Sequence, residues 1–290
     1  MEELRGHHAL WKIDDETVRI RFDSGRKVPT LFKALGAVEV PLAAVHEAEF
    51  DQGDRKRGWR LRLVLAPGLD PYAVPAASAR DAHTPLLLTG PHDTELVAEY
   101  VADKVRALAR YARETLAGEL DPGEVARALV ARPPVQARTA EGSVSFDGEK
   151  VRLLWDGWLA STAKEKEKSR EYRLQEIESA VWHPQLDITE GYLRVVLRGV
   201  TLPEATSLEN DFFTLASHGS KGAEETFLMA ATLNAYIGRA PAAPALEGGD
   251  APGSPEEVYG KIRELGRLHT EGLLTDEEFA AKKAELLDRL

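Results

Sequence analysis

Trp59-Arg60-Leu61-Arg62-Leu63-Val64-Leu65 alternates more strictly than any other stretch of the chain. Trp59, Leu61, Leu63 and Leu65 fall on one side and Arg60, Arg62 and Val64 on the other, the period-2 pattern of a strand with one face on a core. Pro67 and Gly68 end it. The strand is then written again as Leu193-Arg194-Val195-Val196-Leu197, with Leu193 in the place of Leu61.

Outward from this strand, the flanks repeat too. Leu10 to Ile13 and Val18 to Phe22 alternate around Asp14-Asp15 and predict a hairpin. Phe146-Asp147-Gly148 and Val151-Arg152-Leu153 repeat it at nearly the same offset, with Phe146 in the place of Ile13. Short strands are expected near Leu31–Ala34, Ala37–Leu42, Val45–Phe50 and Pro85–Thr89, with a long loop over Pro71–Ala82. Tyr172-Arg173-Leu174 with Ile177 matches Val40-Pro41-Leu42 with Val45, Pro203 falls opposite Pro71, and Asp211–Ala216 takes the place of Pro85–Thr89. A helix from about Asp93 to Leu116 carries an apolar stripe of Leu96, Val97, Tyr100, Val101, Val105 and Leu108. Lys221–Tyr236, with Phe227, Leu228, Ala231, Leu233 and Tyr236, is its counterpart. A near-constant offset through successive elements marks internal duplication. The units are residues 1–116 and 141–238. Between them lies a connector, 117–140, with a short helix at Pro122–Val130 and the pair Pro133-Pro134.

Short strands closed by a C-terminal helix resemble the pleckstrin-homology-like (PH-like) superfold, a bent half-barrel plugged by that helix. The Lys150–Leu153 strand, the Leu174–Ile177 pattern and Trp182 carry the likeness. The resemblance implies an α+β protein with two tandem PH-like half-barrels, each capped by a C-terminal helix. PH-like folds hold lipid, peptide and protein ligands alike, so the fold alone does not fix function.

Residues 239–254, RAPAAPALEGGDAPGS, read as a semi-extended tether. Residues 255–290 then read as two short helices. In the first, Val258, Ile262, Leu265 and Leu268 keep helical spacing behind Ser254 as cap and Pro255 at the first position. Gly272 ends it, and Thr275 with Glu278 forms a capping box for the second, whose stripe is Phe279, Leu286 and Leu287. The run Gly272-Leu273-Leu274-Thr275, Glu277-Glu278-Phe279, Lys282-Lys283 resembles the short C-terminal domain known as SHOCT. The likeness implies a hairpin for oligomerisation or partner attachment, without enzymatic activity. Helices this short do not bury enough surface to stand alone. The residues expected to meet a second copy or another protein are Ile262, Leu265, Leu268, Leu273, Leu274, Phe279, Leu286 and Leu287. The duplicated units followed by this hairpin resemble an uncharacterised bacterial family with tandem PH-like domains.

The formal net charge is −11, which disfavours nucleic acid, whose binding rests on Lys and Arg releasing counterions. It also disfavours a broad hold on anionic lipid. Cys is 0, which removes disulfides and thiolate chemistry. The opening MEELRGHHALWKIDD lacks the basic start and apolar core of a signal peptide, so a cytoplasmic protein is expected. His7 and His8 are adjacent, and the other histidines show no ligand spacing, so no metal is expected. No G-x-S-x-G elbow occurs, Gly248–Ser254 lacks the lysine of a phosphate loop, and neither an enzyme nor a cofactor is expected.

Arg55, Lys56 and Arg57 form a candidate anion-binding turn. Lys164, Lys166, Lys168 and Arg170 alternate with Glu165, Glu167 and Glu171 and read as a solvated, self-compensated surface. Trp155, Trp158 and Trp182 are expected to be buried or partly buried, with Trp158, which lies outside the matched strand, the one open to exposure. The resulting expectation is a non-enzymatic interaction or scaffold protein. Its PH-like domains would bind protein or peptide, or each other, and its hairpin would drive homo-oligomerisation. The alternative is a peripheral membrane adaptor touching anionic lipid through PH-like loops.

Overall fold

The computed structural model describes residues 1–73, 84–116, 118–185, 190–200, 207–217 and 219–237. The first half opens with β1 (Glu2–Arg5), β2 (Ala9–Ile13), β3 (Thr17–Phe22), α1 (Thr30–Leu35) and β4 (Ala37–Pro41). These strands pair antiparallel in the order β1-β2-β3-β4. A 3-10 turn at Leu42–Ala44 leads into β5 (Val45–Asp51), β6 (Trp59–Leu65) and β7 (Leu87–Gly90), a second antiparallel sheet, and α2 (Glu95–Thr115) closes the half. α3 (Pro122–Leu129) follows.

The second half repeats this order: β8 (Val135–Arg138), β9 (Ser143–Phe146), β10 (Lys150–Leu154), α4 (Thr162–Glu167), β11 (Ser169–Arg173), a 3-10 turn at Leu174–Glu176, β12 (Ile177–His183), β13 (Gly191–Leu197), β14 (Thr214–Ser217) and α5 (Gly219–Ile237). Among the described residues the strands form four small open sheets, two per half, in a mixed helix-and-strand fold without a closed barrel.

The pairing confirms the duplication. Leu61 stands opposite Leu88, and Leu193 opposite Leu215. Each β5-type strand carries a register irregularity at the same place, between Val45 and Glu47 and between Ile177 and Ser179. Such irregularities bend a strand and re-aim its side chains, so their recurrence shows that both halves inherited one geometry.

Three expectations need correction. The strand expected near Leu31–Ala34 is helix α1, because Pro29 starts it and Gly36, at φ 63°, ends it with its N–H on the Phe32 carbonyl. The charged counterpart Thr162–Glu167 is likewise a helix, N-capped by Ser161. Strands β1 and β8 carry no alternation in the sequence, since each is short and polar and buries one residue, Leu4 or Ala137. β8 also places part of the second half inside the expected connector.

Each half has its own core. Trp11, Ile20, Val40, Trp59 and Leu61 anchor the first, and Phe146, Leu153, Trp155, Ile177 and Leu193 the second. The cores are not separate. Val125, Ala126 and Leu129 of α3 enter the first, and α5 serves both: Met229, Ala230 and Leu233 face its own half, while Leu228, Ala231 and Ala235 face the first. A helix apolar on both sides must be covered on both sides.

Candidate partner-binding surface

The cap helices share a register fixed by side chains that reach the preceding sheet. Arg106 Nε donates to the Ala48 carbonyl at 2.8 Å. In the second half Asn234 Oδ1 accepts from the Ala180 N–H at 2.8 Å and Nδ2 donates to its carbonyl at 2.7 Å. Ala48 and Ala180 are separated by the same offset as Leu61 and Leu193, so Arg106 of α2 corresponds to Asn234 of α5.

That register shows what each helix does with its outer face. Leu228, Ala231 and Ala235 of α5 correspond to Tyr100, Asp103 and Ala107 of α2. The α5 residues are buried against the first half; the α2 residues are exposed. Leu96 is 78% exposed, Tyr100 58% and Tyr111 64%, with Val97 beside them. At about 100° per residue, Leu96, Tyr100, Ala107 and Tyr111 lie within roughly 60° of one another, opposite Val101 and Val105. The expected stripe of Leu96, Val97, Tyr100, Val101, Val105 and Leu108 is therefore two stripes. Small residues, Ala98, Ala102 and Ala109, join Val101 and Val105 inside, with Leu108 half-buried against the same core; Leu96, Val97, Tyr100 and Tyr111 point out. Asp103, paired with Arg106, stands on the same face between Tyr100 and Ala107, so the face is an apolar patch at Leu96, Val97 and Tyr100 with Tyr111 further along. Single exposed apolar side chains are ordinary, but a grouped set with two tyrosines marks a contact surface. Beside it lies an open cleft lined by Phe50, Asp51, Gln52, Gly53, Glu99 and Arg106.

The face that α5 hides is covered by α1 and α3. Glu224 Oε2 accepts from the Leu31 N–H at 3.2 Å, and the Tyr72 and Phe227 rings lie 5.8 Å apart. Tyr72 Oη donates to the Leu129 carbonyl at 2.5 Å, tying α3 down. Burial, with Asp70 nearby, pushes the Tyr72 hydroxyl well above its ordinary value, so it stays a donor.

Lys164, read as part of a solvated run, is fully buried. Its Nζ donates to Glu141 Oε1 at 2.8 Å and to the Thr214 carbonyl and Oγ1, each at 3.2 Å. Glu141 Oε2 accepts from the Ala216 N–H at 2.5 Å, and the Trp155 ring lies 5.8 Å from Nζ. All three ammonium protons have partners, so the cluster is a closed structural network. The repeat offset aligns Lys164 with Phe32, which stacks on Phe22 at 4.7 Å, and that alignment is the signal that could have revealed its burial. Trp155 is buried, and Trp158, outside the matched strand, is 83% exposed.

Arg55, Lys56 and Arg57 are exposed in the β5–β6 turn, as expected for a basic loop. Asp54 sits inside that turn and accepts from the Lys56 and Arg57 N–H groups, both at 2.8 Å. With Asp51 adjacent, the turn has little net positive charge. The hairpin residues Ile262, Leu265, Leu268, Leu273, Leu274, Phe279, Leu286 and Leu287, and the tether 239–254, lie outside the described residues. Among the described residues no group of three His, Asp or Glu could hold a metal ion, and no helix is long and apolar enough to cross a membrane.

A model of one family, described as a domain of unknown function (DUF4429), matches residues 11–106 and again 144–234, together more than half of the chain. The chain belongs to the DUF4429 family. Its two DUF4429 segments end at Arg106 and Asn234, the pair that the hydrogen bonds to Ala48 and Ala180 align. The short C-terminal domain (SHOCT) model matches residues 261–287. No curated protein matches the chain.

Proposed function

We propose that this DUF4429 protein is a non-enzymatic assembly scaffold. Its two halves are PH-like modules fused through α5, and its SHOCT segment joins copies of the chain. Two open antiparallel sheets closed by a helix in each half support the PH-like reading. The observation that carries the scaffold reading is the second apolar stripe on α2, left open where its counterpart on α5 is covered. Modules with weak contacts gain avidity when copies are held together.

Light scattering on the full chain and on a chain ending at Arg239 tests this. The full chain is expected to run at a multiple of its 31.9 kDa mass and the shortened chain as a folded monomer. A monomeric full chain would refute the reading.

A further inference from the structure

The segment that covers α5 is written twice. α3 begins Asp121-Pro122-Gly123-Glu124-Val125 and reaches Leu129. Asp121 caps it through the Gly123 and Glu124 N–H groups, Pro122 holds its first turn, and Val125, Ala126 and Leu129 are buried. The tail reads Ser254-Pro255-Glu256-Glu257-Val258 and reaches Ile262. Ser254 follows Asp121, and Ile262 follows Leu129, at the offset that separates Phe146 from Ile13. A capping residue, Pro at the first position, Glu three after the cap, Val four after and a large aliphatic eight after recur in order. A Ser cap and Pro at the first position suit a helix start as Asp and Pro do in α3. The duplication thus runs on past the second half, and the chain reads half, α3, half, α3-like segment.

From this order we infer that the outer stripe of α2 is the docking site for Ser254–Ile262 of a second copy of this chain. The inference rests on the scaffold reading above and names its contact surface. α3 lies against β4 of the half before it and against α5, the cap helix of the half after it. A segment of the same kind that follows the second half meets its next cap helix in another chain. α2 is that helix, and Leu96, Tyr100, Ala107 and Tyr111 are its open stripe. The junction within one chain is thereby reproduced between chains. Such a contact is head-to-tail, joining different surfaces of the two copies, and it closes into a ring or extends as a filament according to the rotation per step.

The absence of cysteine gives a clean test, because each introduced thiol is unique. Val97 flanks the stripe. Lys261 corresponds to Ala128, which is exposed on α3, so neither change touches the positions expected to be buried. Full-length Val97→Cys chains are mixed with full-length Lys261→Cys chains and treated with a short bifunctional maleimide. A covalent dimer of the two different chains is expected, and it is lost when Leu96→Glu and Tyr100→Glu are added to the Val97→Cys chain, with the thermal melt unchanged. No dimer of the mixed chains, with crosslinking instead inside one chain made with both Val97→Cys and Lys261→Cys, would overturn the second-copy assignment, and so would a dimer that survives the two Glu changes. Light scattering in parallel separates the two readings. Copies that associate through the tail yet do not crosslink leave the scaffold standing and remove α2 as its surface. A monomeric full chain removes both.

Discussion

Helices α2 and α5 close equivalent sheets at one register and differ in what lies behind them. α5 has the first half at its back, and the residues there are Leu228, Ala231 and Ala235. α2 carries Tyr100, Asp103 and Ala107 at those places, in solvent. The difference teaches that duplication supplied one fold twice, while fusion into a single body consumed only one of the two outer faces. The interiors diverged as well. Phe22 and Phe32 stack where Trp155 and the Lys164–Glu141 pair stand in the other half. Trp59 fills the space over Gly90, where an added Cβ would meet its ring at 2.1 Å. The corresponding positions in the second half are Gly191 and Ser217, and an added Cβ on Gly191 would meet the Gln185 N and the Ser217 Oγ, both at 2.8 Å.

The largest break in this comparison comes from the buried ion pair. Glu141→Ala leaves the Lys164 ammonium without its counter-ion in a dry site and should cost about 3–5 kcal/mol in urea unfolding. Glu141→Gln with Lys164→Met keeps an acceptor for the Ala216 N–H and removes both charges, so it should lie much closer to the wild type. If the double change is as damaging as the single one, desolvated charge is not what the pair manages.

Next comes the helix comparison itself. Leu228→Ala opens space in the shared core and should cost about 2–5 kcal/mol. Tyr100→Ala, at the same helical position in α2 and measured in the chain ending at Arg239, where no tail reaches α2, should stay within about 0.5 kcal/mol. Equal losses would mean that the outer face of α2 is covered within the single chain.

A smaller effect lies at the ends of α1 and α4. Gly36 and Lys168 are equivalent and both have left-handed φ, 63° and 68°. A lysine there brings its Cβ against the backbone, so Lys168→Gly should stabilise by about 1 kcal/mol and Gly36→Lys should destabilise comparably. A thermal melt unchanged by both would show the two turns to be free of strain.

The smallest effect is in acid. Asp14 and Asp147 hold matching turns. The N–H groups of Glu16 and Thr17, and of Glu149 and Lys150, keep their carboxyls below the ordinary 3.8. A carboxyl depressed on folding adds stability that is complete above its unfolded value and is lost as pH falls through the folded one. Asp14→Asn and Asp147→Asn should each flatten the loss of stability below about pH 4, by similar amounts. A flattening from only one of them would break the equivalence of the turns.

Much of the fold was legible because period-2 alternation marks half-buried strands, and Trp59–Leu65 and Leu193–Leu197 alternate openly. α2 departs from the expected single stripe for a physical reason. Periodicity reports that a face is apolar, not which of two apolar faces is inside. Ala98, Ala102 and Ala109 let the helix approach β5 and the 3-10 turn closely, which leaves the bulkier Leu96, Tyr100 and Tyr111 outside. Lys164 was misread because its neighbours alternate in charge, while its own burial depends on Glu141 and Thr214, 23 and 50 residues away. Of the candidate site, the basic turn stands where its residues placed it. The α2 stripe was visible as residues but not as a surface.

If the open face of α2 joins copies of the chain, charge placed on it should separate them. Light scattering on the full-length protein with Leu96→Glu and Tyr100→Glu, beside the unchanged protein at equal concentration, tests it most directly. A multiple of 31.9 kDa is expected for the unchanged chain and a folded monomer for the variant. The same assembled mass for both would contradict it.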